Sequence, residues 1–230
     1  MSLRQQIRLL TIDLDDTLWP CMPTIMHAEK TSYDWLADKK PKITQHYSMD
    51  DLREKRKQLM QRQPELRHDL SEARRAHLRE LADEMGYGHD WIEDGFRVFH
   101  AARQQVTFYE DVLPVLSELR NLFKLVALTN GNADISRVGL SDYFHAQISA
   151  ADVASAKPEP TMFIEAMKQF GVGPEQTLHV GDHAIHDVYG SRAIGIRSVW
   201  VNRQGNPWSE AEFQADYEVR DLHELLKLLI

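Results

Sequence analysis

The sequence predicts an α/β fold in which a doubly wound parallel sheet is interrupted by an inserted, all-helical segment. Three observations carry this. Short apolar runs rich in Ile, Leu and Val alternate with amphipathic stretches, as expected of strands covered by helices on both faces. Polar, chemistry-bearing residues stand where those runs end, which is where an open α/β sheet keeps its ligands. Residues 20–105 carry no strand signal and read as several helices in succession.

Strands are expected at 7–13, 124–129, 146–149, 177–180 and 198–201, with a short one at 217–219. The helices between them are well punctuated. Pro114 stands near the first turn of a helix reaching Asn121, and Pro160 precedes a helix over 162–170 that Gly171 stops. A third helix is expected over 187–194, with Gly195 as its stop. In the inserted segment, Asp69-Leu70-Ser71-Glu72 and Asp90-Trp91-Ile92-Glu93 both have the form of a capping box with Asp as the cap.

The 230 residues, 43% of them hydrophobic, suffice for one sizeable core and a smaller helical unit. No 18-residue apolar run is present, and Met1-Ser2-Leu3-Arg4-Gln5-Gln6 lacks an apolar targeting core, so a cytoplasmic protein without membrane contact is expected. One cysteine, Cys21, excludes an internal disulfide and fits a reducing compartment. A net charge of −8 argues against general binding of nucleic acid or of an anionic membrane. An anionic substrate must therefore be drawn by local charge.

The first strand runs into Asp13-Leu14-Asp15-Asp16-Thr17. Period-two alternation sets Asp13 and Asp15 toward one side, where a pair can divide labour as nucleophile and proton donor. Three further punctuations follow: Thr129-Asn130-Gly131, Lys157-Pro158, and Gly181-Asp182 with Asp187 five residues later. Each alone has a plain structural reading as a turn, a helix cap or a solvated lysine. Together they crowd four carboxylates around a site for a phosphate dianion, which requires cations, and a hard divalent ion with oxygen ligands fits best. His183 and His186 read as loop side chains, because no cysteine or further histidine is placed to complete a zinc set.

In this order the four motifs resemble the haloacid dehalogenase-like (HAD) hydrolase superfamily. The resemblance implies that Asp13 is the nucleophile, forming an aspartyl-phosphate, and that Asp15 is the general acid and base. It implies that Thr129 and Lys157 hold the phosphoryl oxygens. It also implies a magnesium site built from Asp182, the Asp13 carboxylate and the Asp15 carbonyl, with Asp187 behind them. The fold it implies is a Rossmann-like core, residues 1–19 and 106–230, with its strand ending in Asp13 central, and a helical C1 cap over 20–105. Hinges are then expected near 19–23 and 104–109, with the cap excluding water from the cleft.

The implied activity is magnesium-dependent hydrolysis of a small phosphorylated metabolite, by a monomer or weak homodimer. Asp13-Leu14-Asp15-Asp16-Thr17-Leu18, Leu128 to Ala133, Gly139 to Phe144 and His179-Val180-Gly181-Asp182 further resemble bacterial flavin mononucleotide phosphatases of riboflavin biosynthesis. That implies flavin mononucleotide or a phosphorylated ribitylaminouracil as substrate. Other activities of the same fold are a sugar-phosphate phosphatase, a phosphomutase and a 2-haloacid dehalogenase, and a non-catalytic phosphate-binding module is the alternative outside enzymes. A dehalogenase attacks carbon and needs neither metal nor an acid beside its nucleophile, so Asp15, Asp182 and Asp187 argue against it.

Contacts to the substrate are expected from Thr129, Asn130 and Lys157, and to the leaving group from Trp19 and Cys21, which follow the catalytic loop. Arg53, Lys55, Arg56, Lys57, Arg62, Arg67, Arg74, Arg75 and Arg79 form a basic cluster that reads as paired, solvated helix faces before it reads as a substrate clamp. Tyr33, Trp35, Trp91, Phe96 and Phe99 read as the core of the helical segment. Trp200 and Trp208 are expected at the surface, in packing or against a partner.

Overall fold

Parallel strands need crossovers, and the runs that can pair in this chain are separated by helices that supply them. The computed structural model describes residues 3–230. It divides into two units, one comprising the chain through Pro20 together with Thr107–Ile230, the other Cys21–Val106.

The first unit is a six-stranded sheet of β1 (Leu9–Ile12), β2 (Lys124–Thr129), β3 (Ala146–Ser149), β4 (Thr177–Gly181), β5 (Arg197–Val201) and β6 (Tyr217–Val219). The strand order is β3-β2-β1-β4-β5-β6 and every pair is parallel. All four residues of β1 are buried, as its position inside the sheet demands. Helix Thr161–Phe170 packs Met162, Phe163, Ala166 and Met167 against Leu9, Val126, Leu128 and Ile148, then ends where Gly171 takes φ 62°. The chain leaves β1 toward β2 on one side and later returns to β4 on the other. Their carboxyl ends therefore flank a topological switch point, the natural crevice of such a sheet.

The first strand is shorter than the predicted 7–13, although Asp13 still donates its N–H to Val180 at 2.9 Å. The helix expected over 187–194 starts earlier and is irregular. His183 caps it, its Nδ1 accepting from the N–H groups of Ile185 and His186 at 3.1 and 3.2 Å. A wide π-type turn, Ala184–Tyr189, then precedes a short α-helical turn, Gly190–Arg192. Such turns are frequent at functional sites, and this one carries Asp187.

The second unit contains helices Cys21–Lys39, Pro41–His46, Met49–Arg62, Leu70–Met85 and Ile92–Arg103, with no strand among its residues. Leu36, Ile43, Leu52, Leu78, Leu81, Trp91 and Phe96 form its core, with Tyr33 and Trp35 packed on it. Phe99 joins Ala28 and Ala102. The aromatic residues thus serve packing, as the sequence indicated.

Asp69 caps its helix by accepting from the Glu72 N–H at 2.9 Å. Asp90 does not cap. The next helix starts after Trp91, with no side-chain cap, because Trp91 is sunk against Trp35 at 6.1 Å and Glu93 is taken by Arg75 at 2.9 Å. Burial of the indole overrides the capping pattern here.

Most of the basic cluster is paired, though largely between helices. Arg62 meets Glu80, Arg75 meets Glu93, and Arg56 and Arg74 share the buried Glu29 at 2.6 and 2.7 Å. Burial alone would raise the Glu29 carboxyl, but the two guanidiniums hold it below its ordinary range.

Candidate active site

Asp13 follows β1, Thr129 closes β2 and Asp182 follows β4, so three neighbouring strands deliver these groups to one end of the sheet. Lys157 arrives from the connection before helix Thr161–Phe170. Its backbone is clamped by one side chain: Asn130 donates its amide N–H to the Lys157 carbonyl at 2.9 Å and accepts the Lys157 N–H at 2.7 Å.

The Lys157 ammonium is 3% exposed and spends its donors on three buried oxygens: Asp13 Oδ1 at 2.5 Å, Asp187 Oδ1 at 2.6 Å and the Leu128 carbonyl at 3.0 Å. Thr17, wholly buried, lies between the other carboxylates, its hydroxyl 3.3 Å from both Asp13 Oδ2 and Asp182 Oδ1. Asp187 Oδ2 accepts the His183 N–H at 3.0 Å. Gly181 makes this approach possible, since a Cβ there would overlap the Asp187 carboxyl.

Asp13, Asp15, Thr129, Asn130, Lys157, Asp182 and Asp187 all line one cavity of about 160 Å³, with Asp16, Gly131, His183 and His186. Thr129 accepts the Gly131 N–H at 2.9 Å, and among the described residues its own hydroxyl proton has no acceptor. That proton is available to a ligand in the cavity.

Two expectations about tryptophans need correction. Trp19 is fully buried and absent from the cavity wall; its indole N–H donates to Asp15 Oδ1 at 2.9 Å and its ring packs edge-on against Phe108 at 5.8 Å. It braces Asp15 from outside the cavity lining. The cause is the tight loop in which Asp16 adopts φ 59° and donates its N–H to the Trp19 carbonyl at 2.8 Å, turning the indole under the aspartates. Trp200 is likewise interior, 8% exposed, and its indole N–H fixes the Asp182 carbonyl at 2.7 Å. Trp208 stacks on Trp200 edge-on at 4.9 Å. Cys21, partly exposed, is the first residue of helix Cys21–Lys39 in the helical unit.

Sequence reasoning did not mark Thr11 and quoted Thr17 and His179 within motifs without giving either a role. Thr11 and Asp13 share a face of β1, as do His179 and Gly181 on β4, so polar residues two positions before the catalytic-type ones were the available signal.

The electrostatics follow from crowding. Burial raises the Asp13 carboxyl well above its ordinary value; Lys157 opposes the rise while Asp187 and Asp182 add to it. Burial, with Asp187 and Asp16, lifts Asp182 to about 7. Burial would raise Asp187 too, but Lys157 and His179 hold it far below the carboxylate range. Burial would lower Lys157, yet Asp13 and Asp187 keep its ammonium well above the usual value.

One ammonium thus serves three carboxylates whose oxygens lie within 4.8 Å of one another. Two of the three carboxyls are raised by burial and by neighbouring carboxylates, a crowding that a further cation would relieve. The donor set is oxygen-only and fits a hard divalent cation. His183 and His186 stand outside it, their rings stacked 3.9 Å apart.

Comparison with known proteins agrees with this geometry. The family model for haloacid dehalogenase-like hydrolases matches residues 7–195. The 5-amino-6-(5-phospho-D-ribitylamino)uracil phosphatase YigB of Escherichia coli is 29% identical over 203 residues, covering 85% of this chain and 84% of its own. A phosphoserine phosphatase of Thermus thermophilus is 33% identical over 153 residues, 64% of this chain and 61% of its own.

Among solved structures, a 2-haloacid dehalogenase from Pseudomonas syringae superposes with a TM-score of 0.91 at 38% identity, covering 97% of this chain and 98% of that one. A HAD phosphatase from Thermococcus onnurineus gives 0.68 at 29% identity, again over 97% and 98%. The matched residues run from the start of the first strand to the glycine before β5 and so take in Asp13, Thr129, Lys157, Asp182 and Asp187 together. The chain belongs to the haloacid dehalogenase-like hydrolase family.

Proposed function

We propose that this protein is a magnesium-dependent phosphomonoester hydrolase that passes the phosphoryl group through Asp13. The observation that carries the reading is the Lys157 ammonium, bonded to Asp13 and Asp187 at 2.5 and 2.6 Å inside a cavity otherwise rich in carboxylates. It favours ionised Asp13 and offers positive charge to the oxygens of a bound phosphate.

Asp13 attacks phosphorus in line, forming an Asp13 oxygen–phosphorus bond as the bond to the ester oxygen breaks. Asp15, steadied by Trp19, gives its proton to the departing alcohol. Water then attacks the phosphorus of the aspartyl-phosphate, surrendering a proton to Asp15 and releasing inorganic phosphate and the Asp13 carboxylate. Thr129 and Lys157 hold the phosphoryl oxygens, Lys157 by exchanging its bond to Asp13 Oδ1 for one to the phosphoryl group. Asp13 and Asp182, with the Asp15 main-chain carbonyl and with Asp187 behind them, are the residues that would hold magnesium, which would supply neutralising charge to the phosphoryl oxygens.

The substrate is a small phosphorylated metabolite, with flavin mononucleotide or a phosphorylated ribitylaminouracil first among candidates. The support is the Escherichia coli relative, aligned over most of both chains. The helical segment over 20–105 is assigned the choice of leaving group.

A second reading, 2-haloacid dehalogenase, is favoured by the name of the Pseudomonas syringae protein. Attack at carbon leaves Asp15 and the Asp182–Asp187 pair without a task, which is why the phosphatase is preferred. Phosphate release from flavin mononucleotide, sugar phosphates and an aryl phosphate, with and without magnesium, separates the readings when run beside chloride release from 2-chloropropionate. Magnesium-dependent phosphate release that disappears in Asp13→Asn is the expected result. Chloride release without phosphate release, or a fully active Asp13→Asn protein, overturns it.

A further inference from the structure

Asp187 anchors Lys157, and something must anchor Asp187. Its Oδ1 accepts from Lys157 at 2.6 Å and also lies 3.0 Å from His179 Nε2. His179 is wholly buried on β4, and its ring meets the edge of Phe163 at 4.9 Å. Its other nitrogen, Nδ1, lies 2.9 Å from the Thr11 hydroxyl, also wholly buried, on β1. Thr11 and His179 are register partners in the β1–β4 ladder. Parallel pairing therefore sets a threonine–histidine pair directly beneath the level of Asp13 and Gly181, two residues further along each strand.

The hydrogen-bond order is fixed by chemistry. An ionised carboxylate only accepts, so Nε2 must carry the proton that faces Asp187, and the Thr11 hydroxyl donates to Nδ1 of the neutral ring. Neither Thr11 nor His179 lines the cavity, so neither meets a ligand there. Their effect passes through Asp187.

We infer that His179, its tautomer set by Thr11, is a positioning residue that fixes the Asp187 carboxylate and through it the Lys157 ammonium on the reacting phosphate. With the His179 bond gone, Oδ1 keeps only Lys157, and Oδ2 keeps the His183 N–H. The carboxylate can then turn about its Cβ–Cγ bond and draw the ammonium from Asp13. This role rests on the phosphatase reading for its kinetic consequence, but the order of protons along Thr11, His179 and Asp187 does not.

The test combines kinetics, melting and imidazole ¹⁵N NMR on the full chain. His179→Phe keeps a ring against Phe163 and removes the donor; His179→Gln returns an N–H near the place of Nε2. Removing a partner that orients a ligand-holding side chain typically costs about 10–100-fold. His179→Phe should therefore lose about tenfold or more in kcat toward an aryl phosphate with KM little changed, and His179→Gln should regain most of it at a similar melting temperature. Equal impairment in both variants, or parent activity in a folded His179→Phe, overturns the proposal.

If His179→Phe does not fold, Thr11→Val decides. Among the 11 histidines, the parent's His179 ring, assigned as the signal missing from His179→Gln, should be protonated at Nε2 alone, and Thr11→Val should lose that single tautomer together with part of kcat. A parent ring protonated at Nδ1, or a Thr11→Val protein unchanged in both respects, overturns it. A parent inactive on every phosphate ester refutes the proposed function, while the parent NMR still tests the proton order.

Discussion

Replacing Lys157 by Met keeps a long apolar stem and deletes the one ammonium that two buried carboxylates share. In the parent, Asp13 and Asp187 lie 2.5 and 2.6 Å from Nζ, and the lysine and Asp187 side chains are each 2% exposed. Breaking a buried pair by removing one partner costs about 3–5 kcal/mol, because the other charge is left uncompensated. Proton uptake limits the damage, and Asp13, already raised by burial, is the group to take the proton. For a chain of this size the loss corresponds to a fall of about 6–20 °C in melting temperature.

The pH dependence has a definite sign. Asp187 is depressed in the folded state, so its contribution is present above the unfolded carboxylate value of about 3.9 and is lost as pH falls below it. The gap between parent and Lys157→Met should be wide at neutral pH and should close in acid. Thermal and urea melts at neutral and acid pH measure it, and turnover of an aryl phosphate should fall by about 10²–10³, as for loss of one charge-stabilising donor. A Lys157→Met protein that melts with the parent at neutral pH refutes the electrostatic account, and one that turns over at the parent rate refutes the phosphoryl contact.

Two further substitutions probe the groups around this pair. Asp182 is raised to about 7, so between the unfolded value of about 3.9 and that point the folded state binds the extra proton, and metal-free stability should decline as pH rises from about 4 to 7 and level off above it. Asp182→Asn should flatten that decline and abolish the rise in melting temperature that magnesium gives the parent at pH about 8; superimposable pH and magnesium responses in the two proteins would sink the assignment. Trp19→Phe removes the 2.9 Å donor to Asp15 while keeping a ring beside Phe108. If Asp15 protonates the leaving group as proposed, kcat should fall more for an alkyl phosphate than for an aryl phosphate, whose phenolate leaves with less help. Equal losses on both would show that Trp19 serves packing alone.

What the sequence made legible follows from what local pattern can carry. The strands were evident because runs such as 124–129 are buried on both faces and need no alternation, and the helix stop at Gly171 because φ 62° favours glycine. Asp13, Lys157 and Asp182 were evident because few folds bring an acid, a cation and a second acid to successive strand ends. The groups that position them were hidden. Thr11 and His179 sit 168 residues apart and meet only through register, and Trp19 reads as a loop aromatic until the turn at Asp16 folds it under Asp15. Asn130 reads as a turn residue, yet its amide clamps a backbone 27 residues away. At Asp90 a local capping pattern gave way to the packing of Trp91, as tertiary burial commonly outweighs a cap.

The same arrangement explains why this site is built to be unsatisfied. If Asp187 alone faced Lys157, the pair would be neutral and inert, and the pocket would have little affinity for a further cation. Adding Asp13 and Asp182 leaves negative charge in excess inside a cavity of about 160 Å³, and burial, with repulsion from neighbouring carboxylates added to it, raises the proton affinity of those two carboxyls. A divalent cation would relieve that crowding without protonating Asp13, and so would leave it ionised for the attack proposed above. The helix start at His183, the missing Cβ at Gly181 and the indole of Trp200 all act to keep Asp182 and Asp187 close despite their repulsion. The balance of charge at the site is thus set by positioning groups outside the cavity as much as by the carboxylates within it.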